Sequence, residues 1–264
     1  MFIVPRSVEL ILGLFALSAL LGSATTAAAQ RAEGYGGNSA AQSRQARSGV
    51  PGEFDYYTLV LSWSPTYCAS RTSTNRPDPQ CELNAKGRPY AFVLHGLWPQ
   101  YNRGFPDRCW TAEKPFVPKA TIERMLDIMP SRGLVIHEYR KHGTCSGLSP
   151  DDYYALSRRL YEKIKVPKRF VQPVEAQTVG VDQVVDEFVA ENPGLRPDML
   201  AVSCGGAGNR LREVRICFSR TGDVQPCGAN ENQRRMCQAT RMFVPPVRVS
   251  ASPSPGSDWL PGPK

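Results

Sequence analysis

Strands and helices are mixed along this chain without a regular strand–helix–strand alternation. That pattern predicts an α+β fold and not a doubly wound parallel sheet. Roughly 190 residues between Glu53 and Pro245 carry the apolar periodicity, enough for one domain with its own core. Eight cysteines (Cys68, Cys81, Cys109, Cys145, Cys204, Cys217, Cys227 and Cys237) follow an apolar leader. An even count in that context reads as four disulfides in an oxidising compartment. No C-x-x-C pair occurs, which argues against a structural zinc site.

The leader comes first. Leu10 to Leu21 is an apolar run too short to span a bilayer comfortably, and Ala27-Ala28-Ala29 supplies a small-residue cleavage site. Residues 1–29 therefore read as a signal peptide. They hold one charge of each sign, Arg6 and Glu9, so the mature chain keeps the net charge of +8. A basic protein is biased towards polyanions, although charge alone also serves solubility. Residues 30–52 are rich in Gly, Ser, Ala, Gln and Arg and read as a disordered leader.

Phe54 to Trp63 is aromatic and β-branched and predicts a strand, with a turn at Ser64-Pro65. Cys68 to Cys81 encloses a polar loop. Tyr90 to Leu94 predicts a second strand, delivering His95 and Trp98 at its end. Residues 102–118 read as a loop around Cys109-Trp110. Ile122, Met125, Leu126 and Met129 line one face of a helix over Lys119 to Met129. Leu134 to His142 predicts another helix. Ser149-Pro150-Asp151-Asp152 is a helix start, with an N-cap serine, proline at the first position and acids in the first turn. Val181 to Glu191 is helical and stops before Pro193. Leu200–Ser203, Leu211–Ser219 and Met242–Val244 read as strands, with Cys204-Gly205-Gly206-Ala207-Gly208 as a turn. The domain spans 53–245, and 246–264 reads as a flexible Pro/Ser/Gly tail.

Chemistry concentrates in two stretches. The chain has three histidines, and two lie in His137-Glu138-Tyr139-Arg140-Lys141-His142-Gly143. The third, His95, lies in Phe92-Val93-Leu94-His95-Gly96-Leu97-Trp98-Pro99. On an α-helix, with His137 at zero, Glu138 falls near 100°, Lys141 near 40° and His142 near 140°. One helix face thus carries two imidazoles, a carboxylate and an ammonium, while Arg140 points to the surface or a flanking phosphate. Gly143 is suited to a left-handed cap. The spacing of His137-Glu138-x-x-x-His142 is one residue too long for the zinc-protease motif, so metal is not expected. Gly143-Thr144-Cys145-Ser146-Gly147 mimics a nucleophile elbow, but no histidine follows it, and Cys145 reads as half of a disulfide. Trp110 reads as a core residue, whereas Trp98 beside His95 is a candidate for stacking on a base.

Together the two stretches closely resemble, in order and separation, the two active-site segments of the ribonuclease T2 family. The resemblance extends to Leu59–Cys68, Leu211–Cys217 and the closing cysteines. It implies a central antiparallel sheet with helices packed on it, and cleavage of single-stranded RNA without metal or other cofactor. The reaction it implies is attack of the 2′-hydroxyl on phosphorus, giving a 2′,3′-cyclic phosphate and then a 3′-phosphate. His142 resembles the general base, His95 the general acid and His137 the phosphate-binding histidine. Glu138 and Lys141 resemble the pair that stabilises the transition state. Substrate contacts are expected from Trp98, Pro99, Gln100, Ser62 and Arg140. Ser62 stands where many members have a glutamine, and Gln100 where some have an acidic base-reading residue.

The resemblance also implies the pairings Cys68–Cys81, Cys109–Cys145, Cys204–Cys237 and Cys217–Cys227, among the many that spacing alone leaves open. The chain is expected to act as a monomer without membrane association, and to leave DNA uncut because the attacking hydroxyl belongs to the RNA. The bacterial members imply a periplasmic or secreted enzyme. Two other readings are an inactive RNA-binding relative and a small-nucleotide phosphodiesterase. The retained histidines with Glu138 and Lys141 argue against the first, and competition between polymeric RNA and a cyclic dinucleotide tests the second.

Overall fold

A computed structural model describes residues 46–71, 77–112 and 114–248. The expected signal peptide, most of the 30–52 leader and the tail beyond Arg248 lie outside them. In chain order the elements are β1 (Ala46–Ser48), β2 (Tyr56–Trp63), α1 (Ser64–Arg71), β3 (Phe92–Gln100), β4 (Phe105–Asp107), α2 (Lys119–Met125), α3 (Arg132–Lys141), α4 (Pro150–Lys163), β5 (Gln177–Gly180), α5 (Val181–Glu191), β6 (Leu200–Gly205), β7 (Arg210–Phe218), α6 (Gln233–Met236) and β8 (Arg241–Val244).

The architecture is α+β, built on a six-stranded and mainly antiparallel sheet. β3, β2, β7 and β6 pair antiparallel in that order. The antiparallel pair β5–β8 joins β7 through one parallel bridge, Arg210 opposite Phe243. β1 lies parallel to β4 in a separate ribbon. Described backbone continues on both sides of residues 53–245. Gly52 N–H donates to Cys145 C=O at 3.0 Å, and Val247 is buried with its N–H donating to Pro173 C=O at 2.7 Å.

One irregularity in β3 positions the site. Val60 pairs with Gly96 and Leu61 with Leu94, so His95 is the extra residue of a β-bulge. Side chains alternate between the faces of a sheet, and directly paired residues share a face. Leu97 pairs with Leu59 and Leu94 with Leu61, so both leucines face the core, and all four are buried. The extra residue lets His95 join Gly96 and Trp98 on the opposite face. Without it, keeping Leu97 in the core would turn Leu94 outward. The bulge explains why the strand continues through His-Gly-Leu-Trp-Pro instead of ending at Leu94. Pro99 is tolerated because β3 is an edge strand.

The core places helices against this sheet. Trp63 is fully buried among Phe92 and Phe170, and its indole N–H donates to Pro245 C=O at 3.1 Å. Tyr139, Tyr153 and Tyr154 pack on one another. Their hydroxyls fasten the site elements: Tyr153 to Leu97 C=O at 2.6 Å, Tyr139 to Leu148 C=O at 3.0 Å, and Tyr154 to Val135 C=O. α4 is capped by Ser149, whose Oγ accepts from Asp152 N–H at 3.2 Å.

Other elements depart from the sequence reading for identifiable reasons. Ser64-Pro65 opens α1, since serine and proline start helices as readily as turns. α3 begins earlier than Leu134, because Ser131 caps it and accepts from Leu134 N–H at 3.3 Å. Gly143 has no left-handed conformation. It opens a 3₁₀ turn over Gly143–Ser146, and the left-handed residue is Gly147, at φ 75°. Gly143 is small because a Cβ there would fall on the Tyr139 ring. Lys119 to Met129 ends as an α-helix at Met125. β5 was not anticipated; its four residues carry no period and are held by pairing with β8. Trp110, read as core, is exposed.

Candidate active site

Three elements converge: the bulged strand β3 with His95 and Trp98, helix α3 with Glu138, Lys141 and its C-cap His142, and strand β7. Glu138 is the hub. It is 2 % exposed, accepts from Trp98 Nε1 at 2.7 Å, and lies 3.6 Å from His95 Nε2 and 4.0 Å from His142 Nε2. The Trp98 indole stacks on the His142 imidazole with centroids 4.8 Å apart, and the Arg215 guanidinium lies 4.9 Å from the Trp98 ring centre. Trp98 thus packs against His142 while still lining the hollow beside it.

The surroundings of the two imidazoles bias them in opposite directions. Burial pushes His142 well below the ordinary imidazole value, and the neighbouring Lys141, His95, His137 and Arg215 side chains push the same way. Its buried Nδ1 has no hydrogen-bond partner among the described residues, so an imidazolium proton there would be unsatisfied. For His95 burial also favours the neutral form. The hydrogen bond to Glu213 and the charges of Glu138 and Glu213 outweigh it and raise the pKa. Burial raises Glu138, against the opposing pull of His95, the Trp98 donor, His137 and Lys141.

Two hollows flank this centre. One, of about 340 Å³, is lined by Lys141, His142 and Trp98 together with Gln100, Arg212 and Arg235. The other, of about 320 Å³, is lined by His95, His137, Ser62, Tyr67, Arg71 and Gln80 among others. His95, His137, Glu138, Lys141, His142, Trp98, Gln100 and Ser62 are thus brought together. Gln100 is largely committed inward: it is 3 % exposed and its Oε1 accepts from Asn230 Nδ2 at 2.9 Å. Arg140 and Pro99 stand apart. Arg140 is exposed and its Nε donates to Pro115 C=O at 3.3 Å, and Pro99 is buried opposite Tyr57. Neither lines a hollow. Among the described residues, no group of three or more His, Cys, Asp or Glu is arranged to hold a metal ion.

The sequence reading missed the contribution of β7. Glu213 Oε1 lies 3.0 Å from His95 Nδ1, and Arg215 donates to Glu213 Oε2 through Nε at 3.1 Å and Nη2 at 2.8 Å. Behind Arg215, at 4.0 Å, is Glu231, a buried carboxylate that accepts from Thr58 at 3.1 Å and from the Tyr56 hydroxyl. Charges two residues apart in a strand were visible, but the same pattern describes a solvated face.

Gly96 completes the centre by being small. A Cβ there would fall on Glu138 Oε2 and come within 2.6 Å of Trp98 Nε1. Gly96→Ala should displace the Glu138–Trp98 pair and lower kcat by about 10²-fold, the usual consequence of a displacement on the order of 1 Å. Steady-state kinetics beside a thermal melt checks this; wild-type kcat in a folded Gly96→Ala protein would contradict it.

A model of the Ribonuclease T2 family matches residues 54–227 of this chain. The chain belongs to the ribonuclease T2 family. It is 37 % identical over 198 residues to a ribonuclease of Aeromonas hydrophila, covering 71 % of this chain and 82 % of that one. Ribonuclease I of Escherichia coli K12 is 28 % identical over 215 residues, 68 % of this chain and 80 % of the relative. The solved structure of an RNase-related protein from Calystegia sepium superposes with a TM-score of 0.57 at 22 % identity, over 74 % of this chain and 99 % of that one. The last likeness speaks to the fold. Family membership and the bacterial ribonucleases make this chain an RNA-cleaving endonuclease.

Proposed function

We propose that His142 is the general base and His95 the general acid of a metal-independent transphosphorylation on single-stranded RNA. One observation carries this reading: two imidazoles meet the same buried carboxylate, at 3.6 and 4.0 Å, one biased towards the imidazolium and the other towards the neutral ring. An acid–base pair needs those two states at once.

In the first step His142 takes the proton from the 2′-hydroxyl as its oxygen bonds to phosphorus. The bond from phosphorus to the 5′-oxygen breaks, and His95 protonates that oxygen. In the second step water attacks the 2′,3′-cyclic phosphate. His95, now neutral, takes the proton from water, and His142 returns one to the 2′-oxygen. The product is a 3′-phosphate and both histidines are reset. Lys141 meets the charge that builds on the phosphoryl oxygens, with Glu138 holding the surrounding imidazoles and indole in register. His137, exposed beside the His95 hollow, binds a phosphate. Ser62 and Trp98, each lining one of the two hollows, contact the bases, and Gln100 supports that floor from within. Arg140 serves a flanking phosphate at most. The enzyme works as a periplasmic or secreted monomer, away from membranes.

The attacking oxygen belongs to the substrate, so its removal should abolish the reaction. RNA homopolymers should be cut with EDTA present, with cyclic phosphates resolved by chromatography as the first product. DNA of the same sequence and 2′-O-methyl RNA should survive. Efficient DNA cleavage, or loss of activity that zinc restores, would sink the mechanism.

A further inference from the structure

We infer that Glu213 is a positioning residue for the acid His95: it accepts the Nδ1 proton throughout the cycle, so that Nε2 alone gives and takes the proton of the reaction. This rests on the reading of His95 as the acid.

The geometry favours one tautomer. Glu213 Oε1 sits 3.0 Å from Nδ1, while Nε2 faces Glu138 at 3.6 Å, longer than a hydrogen bond. Nδ1 is occupied and Nε2 is the nitrogen left for the leaving oxygen. After His95 has protonated that oxygen, the ring must be neutral with its proton on Nδ1, or it cannot take a proton from water in the second step. A carboxylate at Nδ1 holds that tautomer, because an ionised carboxylate can only accept. The same contact favours the imidazolium in the first step, so one residue serves both halves of the reaction.

Glu213 is itself well held. Its second oxygen receives two donors from Arg215, and burial, which would raise its pKa, is overcome by Arg215 and His95, so that it stays ionised far below the usual carboxylate range. Arg215 in turn faces the buried Glu231 and the Trp98 ring. β2 and β7 fix the relation to His95, since Ser62 pairs with Glu213 and Val60 with both Arg215 and Gly96. The charged and titratable groups around His95 are Glu138 and His142 from the α3 end, Glu213 and Arg215 from β7, and His137, Tyr67, Arg71 and Asp78 around the adjoining hollow. Of these, Glu213 alone hydrogen-bonds the ring.

The test uses two substrates that differ in how much acid they need: a dinucleotide, whose 5′-alkoxide must be protonated, and a nucleoside 3′-(p-nitrophenyl phosphate), whose leaving group departs unaided. Glu213→Gln should lower kcat on the dinucleotide roughly 10- to 100-fold, part of the ~10²–10⁴-fold that a general acid contributes, with KM little changed. On the p-nitrophenyl substrate the defect should shrink to within about threefold of wild type. The alkaline limb of the dinucleotide pH profile should move to lower pH, because His95 loses the carboxylate that favours its charged form, and Glu213→Asp should restore part of that shift. A merely structural role would lower both activities alike and leave the limb in place, and either result overturns the proposal. His95→Ala on the same two substrates separates the failures. If His95→Ala lacks the leaving-group dependence, the acid assignment falls. If His95→Ala shows it and Glu213→Gln does not, only the role of Glu213 falls.

Discussion

His142→Ala and His95→Ala should each lower kcat on RNA by about 10²–10⁴-fold or more, because each removes one proton-transfer partner from a step that needs both. The two losses should differ in their pH signature. The wild-type profile should be a broad bell. His142 works as the neutral ring, and its pKa lies well below the ordinary value, so activity should fall only when pH drops through that depressed value. His95 works as the imidazolium, and its pKa is raised, so activity should fall as pH climbs through the raised value. Displacement in opposite directions widens the plateau between the limbs. His142→Ala should flatten the acidic limb of the residual activity, and His95→Ala the alkaline one. The apparent values belong to the coupled site, since Glu138 lies within 4.0 Å of both rings. His137→Ala should act differently, raising KM more than either of the others, as expected for an exposed phosphate contact. Near-wild-type turnover in folded His142→Ala would exclude the assignment.

The candidate set was legible because its residue types are rare and its spacing is short. Three histidines in two stretches leave few places for acid–base chemistry. Helix geometry brings Glu138 and Lys141 alongside His142 within one turn and a half. The helix starts at Ser149 and Val181 were legible for a similar local reason, caps and breakers adjoining an apolar period. What could not be read depends on pairing between distant segments. The bulge at His95 exists only because Leu94 and Leu97 must both meet the core across β2, and β3 alone does not say which face is core. Glu213 and Arg215 look like a solvated strand face until β3 is laid two strands away. Gly96 and Gly143 were small for the sake of Glu138 and Tyr139, and only the folded arrangement brings those side chains against them. Trp98 was readable as an aromatic beside a histidine. Its packing against His142 was not, because stacking within the site and stacking on a base ask for the same residue.

Removing the Cys109–Cys145 bond should cost about 2–5 kcal/mol of stability and lower kcat as well. The bond closes a 36-residue separation that contains all of α2 and α3, so much of its effect comes from restricting the unfolded chain. The catalytic cost has a different origin. Cys145 follows His142 by three residues in the 3₁₀ turn over Gly143–Ser146, and Cys109 follows β4, the strand after the His95 segment. Both sulfurs are buried, and the junction is reinforced by Arg108 N–H to Lys141 C=O at 2.9 Å and Gly52 N–H to Cys145 C=O at 3.0 Å. These contacts hold the C-terminal end of α3, which carries Lys141 and His142, to the segment that follows His95. Slackening them lets His142 drift relative to His95, and small misplacements of acid and base are expensive. Cys217–Cys227 is the control. It closes a 10-residue separation at the far end of β7, beyond Arg215, so its removal should lower stability and spare kcat wherever the protein stays folded. Denaturant midpoints and kcat for Cys109→Ala/Cys145→Ala and Cys217→Ala/Cys227→Ala, measured at a temperature where both are folded, decide the matter. Equal kcat in the two double variants would show that the first bond braces the fold without aligning the catalytic pair.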